Sequence, residues 1–355
     1  MKRLIAITII TALLLTGCGS VGESSASDEK ETTIYSMDTV MNIKAYGSGA
    51  SAALAAASDE INRLDKLLSR QDENSPITAL NRAASDDSVP NSVDVGDEIC
   101  LVLDEAREYN SATGGAFDVT VAPIMDLWDF TGDDPRVPAQ SEIDALLPRV
   151  DASKIECSDG MASLGDGQAV DLGGIAKGYA SDRLAAIWDE LDIKSAIASL
   201  GGNVYARGTK TDGSLWRVAV KDPEDPDNSV IGILSCADSY VITSGGYQRY
   251  FEQDGVRYHH ILDPKTGYSA ESGLTSVTII ASSTVDGNGA MCDALSTALF
   301  VMGEDKAVDF WRSGKYDFDM ILVTDDGRIL VTDGISGNFD TSEAQGKYEV
   351  STLEK

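Results

Sequence analysis

Val170-Asp-Leu-Gly-Gly-Ile-Ala-Lys-Gly-Tyr179 is the stretch on which the reading of this chain turns. The apolar alternation of Ala169 to Leu172 predicts a short strand, and the glycine pair then opens a helix from about Ile175 to Leu191. A helix begun this way presents backbone donors and a lysine, Lys177, beside the carboxylate of Asp171. Far downstream, Cys292-Asp-Ala-Leu-Ser-Thr297 spaces Asp293 and Thr297 four apart. If that segment is helical, two hard oxygen ligands share one face. The two stretches together can hold a metal and a phosphate.

The rest of the chain is a poor place for a phosphate. With 28 basic and 58 acidic residues the formal charge is -30. Such a surface repels nucleic acid and anionic headgroups. A phosphorylated substrate would need local positive charge, which a divalent cation held by carboxylates supplies.

The amino terminus has its own pattern. Met1-Lys-Arg precedes the apolar run Leu4 to Leu15 and then Leu15-Thr-Gly-Cys18, the order of a bacterial lipoprotein signal. The run is too short for a spanning helix. Residues 1–17 are therefore expected to be a signal peptide, Cys18 the lipidated first residue, and residues 18–32 a flexible Ser-, Gly- and Glu-rich tether. The protein is expected at the cell membrane, on its extracytoplasmic face, with residues 33–355 as one folded unit.

Within that unit, helical spacing predicts helices over Ala50 to Leu68, Asp97 to Thr113, Ser141 to Leu147 and Asn288 to Met302. Strand patterns cluster between Ser195 and Ala281, and Asp325-Asp-Gly327 joins a final pair, Asp319 to Thr324 and Arg328 to Thr332. The class is α+β, mixed but with largely antiparallel sheets. Cys100, Cys157, Cys236 and Cys292 show no zinc spacing, and their disulfide status is open. With His259 and His260 alone in the chain, a histidine-rich metal site is excluded.

Several short motifs read singly as turns or helix ends: Thr113-Gly-Gly-Ala-Phe-Asp118, Gly201-Gly-Asn203, Ser244-Gly-Gly-Tyr247 and His259-His-Ile-Leu-Asp-Pro-Lys-Thr-Gly267. Their joint order, with Met37-Asp-Thr-Val-Met41 ahead of them and Asp293-Ala-Leu-Ser-Thr-Ala-Leu299 after, is far more specific. From about Thr33 to Asp333 it resembles the ApbE-type FAD:protein FMN transferase family.

The resemblance implies an ApbE-like flavin transferase fold and a magnesium-dependent enzyme. Such an enzyme moves FMN from FAD to a Ser or Thr hydroxyl of an exported acceptor protein and releases AMP. It implies Mg2+ ligands at Asp293, Thr297 and a backbone oxygen near Gly174, with Ser296 as a further candidate. It places Met37, Ala116, Phe117, Asp118, Asp171, Lys177, His260 and Ile261 around FAD, and either His260 or Asp293 as acceptor of the hydroxyl proton. Two departures stand out. Gln71 replaces an aromatic that many relatives could stack on adenine, and Ser244-Gly-Gly has glycine where many carry a polar residue. Water in place of the acceptor hydroxyl would give a magnesium-dependent FAD pyrophosphatase, and loss of chemistry altogether a flavin-binding lipoprotein. No acceptor-like stretch occurs in the chain, so transfer would act on a partner.

Overall fold

Period-two alternation builds a nine-stranded sheet whose spatial order follows the chain. Its strands are β1 (Glu29–Ser36), β2 (Thr39–Tyr46), β3 (Ala196–Leu200), β4 (Asn203–Arg207), β5 (Ser239–Gly245), β6 (Leu274–Ser282), β7 (Asp319–Thr324), β8 (Arg328–Thr332) and β9 (Glu349–Leu353). Every neighbouring pair is antiparallel except β8 with β9. The computed structural model describes residues 29–86 and 88–355. Cys18 and the signal segment lie outside the described residues.

The expected tether runs too far. Glu29 to Thr32 belong to β1, paired through Glu29 opposite Tyr46 and held by Lys44, whose Nζ lies 2.7 Å from Glu29 and 3.4 Å from Glu31. Charged residues on an edge strand were mistaken for linker. The interruption at Met37-Asp-Thr-Val-Met41 is the turn of this hairpin, where Met37 and Asp38 both have positive φ. Gly201-Gly202 makes the same two-residue reversal between β3 and β4 with φ of 63° and 106°, a geometry that favours glycine.

The two sheet faces bury different clusters. On β5, β6 and β7 the residues Tyr240, Ile242, Val277, Ile279, Met320 and Leu322 face the helices, whereas Val241, Ile280, Ile321 and Val323 face a small sheet carrying Trp216, Val218 and Leu234. The helical layer comprises α1 (Ala50–Leu68), α2 (Gly96–Ala112), α3 (Ala176–Glu190) and α4 (Asn288–Met302). Helix α4 is apolar nearly all round and buried between α3 and strands β5 and β6, the expected position for a helix without a polar face.

Where α3 crosses α4 the backbones nearly touch at Gly178 and Gly289. A Cβ on Gly178 would lie 2.2 Å from the Gly289 carbonyl oxygen, and one on Gly289 would lie 2.4 Å from that of Gly178. The strand expected at Ala169 to Leu172 is absent. That segment is extended but pairs with a side chain, since Asn81 both donates to the Val170 carbonyl at 2.9 Å and accepts from its amide at 2.7 Å. The next residue bonds to backbone, the Asp171 amide donating to the Val119 carbonyl at 2.8 Å, but no ladder continues from it.

Gly289→Ala is expected to lower unfolding free energy by about 1–3 kcal/mol through overpacking of this crossing. Gly337→Ala, where nothing lies within 4 Å of the added methyl, should change it by less than about 0.5 kcal/mol. Urea unfolding of both variants measures the contrast.

Candidate functional site

The helix crossing brings the two motif stretches together. Asp293 is 3% exposed, and its Oδ2 accepts the Gly178 amide at 2.8 Å. That bond caps the first turn of α3, whose own N-cap residue Ile175 supplies no side chain for the purpose. Gly178 stands at N3, where an amide has no intrahelical partner, and Gly174 precedes the N-cap, so its carbonyl lies outside the helical ladder, which begins with the Tyr179 amide on the Ile175 carbonyl at 2.9 Å. Thr297 Oγ1 lies 3.7 Å from the position a Cβ on Gly174 would take. Asp293 and Thr297, one turn apart on α4, thus stand beside the backbone of Gly174, with Lys177 Nζ 4.0 Å from Asp293 Oδ1. Among the described residues no three His, Cys, Asp or Glu side chains cluster as a metal site. Any cation here is held by one carboxylate and neutral oxygens, a donor set suited to Mg2+ with retained waters.

Ser296, the further ligand candidate, has protein partners. It is fully buried, its hydroxyl donates to the Asp293 carbonyl at 2.8 Å and pairs with Ser244 Oγ at 2.8 Å. It immediately precedes Thr297 on α4 and shares Ser244 with it. Ser244, which the sequence reading treated as part of a glycine turn, ends β5 and also reaches Thr297 Oγ1 at 3.2 Å. Its hydroxyl orients the Thr297 hydroxyl. The glycine after it at Gly246 has a local cause, since a Cβ there would lie 2.9 Å from the His259 ring.

The residues expected around FAD divide into two groups. Phe117 packs its ring against Gly174, 3.0 Å from a Cβ there, and Ala116 precedes it in the same buried turn. Lys177 donates to the Gly173 carbonyl at 3.1 Å and keeps partial solvent access. Ile261 is buried, Met37 is half-buried at its hairpin turn, and Gln71 is exposed. By contrast Asp118 and Asp171 spend their oxygens on the protein. Asp118 caps the turn at Val119 through the Thr120 amide and also accepts from Asn110 and Ala152. Asp171 accepts the Gly173 amide at 2.8 Å and Arg70 Nε at 2.7 Å, while Arg70 Nη1 reaches Asp126 at 2.8 Å. They hold the glycine loop in shape.

His260 follows the hairpin of Tyr250–Gln253 and Val256–His259. Its Nδ1 faces the Arg249 carbonyl at 3.2 Å, which assigns the proton to Nδ1 and leaves the Nε2 lone pair free. Burial, with the Arg249 and Lys177 cations adding, pulls the imidazole down to about 4. It is neutral at physiological pH. The four cysteines among the described residues are free thiols, three of them buried.

Comparison with known proteins agrees with the motif order. The ApbE family model matches residues 37–322. An FAD:protein FMN transferase of Treponema pallidum is 30% identical over 92% of this chain and 93% of its own length, and one of Vibrio cholerae is 31% identical over 90% and 94%. Among solved structures, the ApbE protein of Thermotoga maritima superposes with a TM-score of 0.78 at 34% identity, covering 88% of this chain and 99% of its own. The flavinyl transferase ApbE of Pseudomonas stutzeri gives 0.75 at 28% identity, covering 88% and 97%.

Removing the Asp293 carboxylate would also leave the Gly178 amide without its cap. Asp293→Ala should abolish activity and also lower stability by about 1–2 kcal/mol, the cost of losing a cap, read by chemical denaturation without metal.

Proposed function

The chain belongs to the ApbE family, and from that premise we propose that it transfers FMN from FAD to a Ser or Thr hydroxyl of an exported acceptor protein, releasing AMP in a magnesium-dependent reaction. The observation that carries the cation reading is the placing of Asp293 and Thr297, one turn apart on α4, beside the backbone of Gly174. Bound there, Mg2+ would neutralise charge on the non-reacting pyrophosphate oxygens.

The chain's own residues do the rest. Lys177, held at the opening turn of α3, adds a cation beside the same oxygens. Phe117 and the glycine loop braced by Arg70 form an apolar, close-packed wall on which a flavin ring can lie. The acceptor hydroxyl loses its proton to His260 Nε2 as its oxygen bonds to the FMN phosphorus. The pyrophosphate bond on the other side of that phosphorus breaks, and AMP leaves with the bridging oxygen. Gln71, exposed where relatives can offer a ring, gives adenine no stacking face and favours looser FAD binding. The lipoprotein-like leader supports an anchored location outside the cytoplasm, where an exported acceptor would be met.

The full-length chain is expected in the membrane fraction and to be released by Cys18→Ser. Either form, incubated with FAD, Mg2+ and a cognate acceptor domain, should add an FMN-sized mass to the acceptor with matching AMP, and EDTA should stop both. Free FMN and AMP without a mass gain would identify a pyrophosphatase instead; FAD bound but unchanged would identify a binder.

The depressed imidazole sets the pH response. Since His260 remains neutral down to about 4, its proton-accepting form is complete throughout the neutral range and is lost only as pH falls towards that value. The rate profile should therefore lack a break near the ordinary histidine pKa of about 6.5. A His260-dependent break there, absent in His260→Gln, would remove the neutral-base assignment.

A further inference from the structure

The two helices that carry the candidate ligands share a repeated spacing. Gly178-Tyr-Ala-Ser-Asp182 on α3 and Gly289-Ala-Met-Cys-Asp293 on α4 each place an aspartate four residues after a glycine. In the structure the pairs are reciprocal. Asp293 Oδ2 accepts the Gly178 amide at 2.8 Å, and Asp182 Oδ1 accepts the Gly289 amide at 2.8 Å. Asp182 Oδ2 takes a further amide, that of Ala290, also at 2.8 Å. Neither helix has a side-chain cap of its own, since Ile175 and Gly287 stand at the two N-cap positions. Each helix is capped by the other.

Asp182 belongs to none of the roles assigned above, yet it holds the end of the helix that bears the ligands. Asp293 follows Gly289 by one turn, and Thr297 follows Asp293 by another. A rigid helix gripped at Gly289 and Ala290 cannot slide or rotate without moving both oxygens. A small hard cation tolerates little deviation from its coordination geometry. The negative charge also lies at the positive end of α4, where it is favourable. Burial pushes the Asp182 carboxyl up to about 6, with the Ala290 and Gly289 amides and the Tyr240 hydroxyl opposing.

We propose that Asp182 is a positioning residue for the cation site: by fixing the first turn of α4 against α3 it holds Asp293 and Thr297 beside the backbone of Gly174. The proposal rests on the reading of Asp293 Oδ1, Thr297 Oγ1 and a Gly174 backbone oxygen as Mg2+ ligands. It also accounts for the glycines at the crossing. A Cβ on Gly289 would lie 2.7 Å from Asp182 Oδ1, as well as striking the Gly178 carbonyl, so the carboxylate can reach the helix end only where no side chain intervenes.

The test uses Mg2+ alone, without FAD, and follows the thermal midpoint of the purified protein as Mg2+ is raised. In parallel, the Mg2+ half-saturation of FMN transfer is measured against the KM for FAD. Asp182→Ala should shift the Mg2+ concentration dependence upward about 10–100-fold, the usual effect of losing a group that orients a ligand, while the KM for FAD stays near wild type. Asp182→Asn, which keeps one acceptor oxygen, should give a smaller shift in the same direction and decides the matter if the alanine variant does not fold. Asp222→Asn is the control for stability loss alone. Asp222 is buried in the opposite core, accepting from Lys347 and Tyr348 at 2.6 and 2.7 Å, and its replacement should lower the midpoint without moving the Mg2+ dependence. Folded Asp182 variants that respond to Mg2+ at wild-type concentrations would overturn the positioning role. A wild-type protein indifferent to Mg2+, and indistinguishable in this from Asp293→Ala, would instead overturn the ligand reading and the proposal with it.

Discussion

Two helices capped by one another at a glycine crossing are the constraint from which the site follows. Burying α4 against the sheet satisfies its apolar surface, but leaves its first amides and those of α3 without partners inside the protein. Asp182 and Asp293 supply those partners across the contact. The contact is possible because Gly178 and Gly289 let the backbones approach to a distance no side chain would allow. One consequence is chemical: the crossing sets Asp293 and Thr297 beside the loop that opens α3, with Thr297 Oγ1 3.7 Å from the place of a Cβ on Gly174. The packing solution and the proposed ligand set share the Asp293 carboxylate.

Electrostatics make such an arrangement valuable in this chain. A protein with a formal charge of -30 has to bring a pyrophosphate into contact with itself. The site counters the general field with Lys177 at a helix start, with one carboxylate aimed at a cation position and with neutral oxygens for the remainder. The neighbouring acids are withdrawn from that position. Asp171 is neutralised by Arg70, and Asp118 is enclosed by donors. Carboxylates that would otherwise repel the substrate serve to shape the loop instead.

Much of this was legible in the sequence because it depends on local periodicity. The helix at Asn288–Met302 and the hairpin around Asp325-Asp-Gly327 emerge as expected, since spacing and turn chemistry determine them locally. What escaped depends on tertiary contacts. Ser244 looks like a residue before turn glycines, and only the pairing of β5 with α4 shows that it orients Thr297. Ser296 has the right chemistry and spacing for a ligand, and only the fold shows its hydroxyl bonded to the Asp293 carbonyl and Ser244. The role of Asp182 had a visible signal, the repeated glycine-to-aspartate spacing, which acquires meaning once the two helices are known to cross. The edge strand from Glu29 was hidden by its charges, which pair across strands instead of marking a linker.

The most direct measurement is a crystal structure with Mn2+ in place of Mg2+, locating the ion by its anomalous scattering. The account predicts one peak bounded by Asp293 Oδ1, Thr297 Oγ1 and the Gly174 carbonyl at about 2.0–2.2 Å, with Asp293 Oδ2 still bonded to the Gly178 amide. A peak elsewhere, or an Asp293 that abandons Gly178 to reach the ion, would contradict the claim that the helix crossing builds the site.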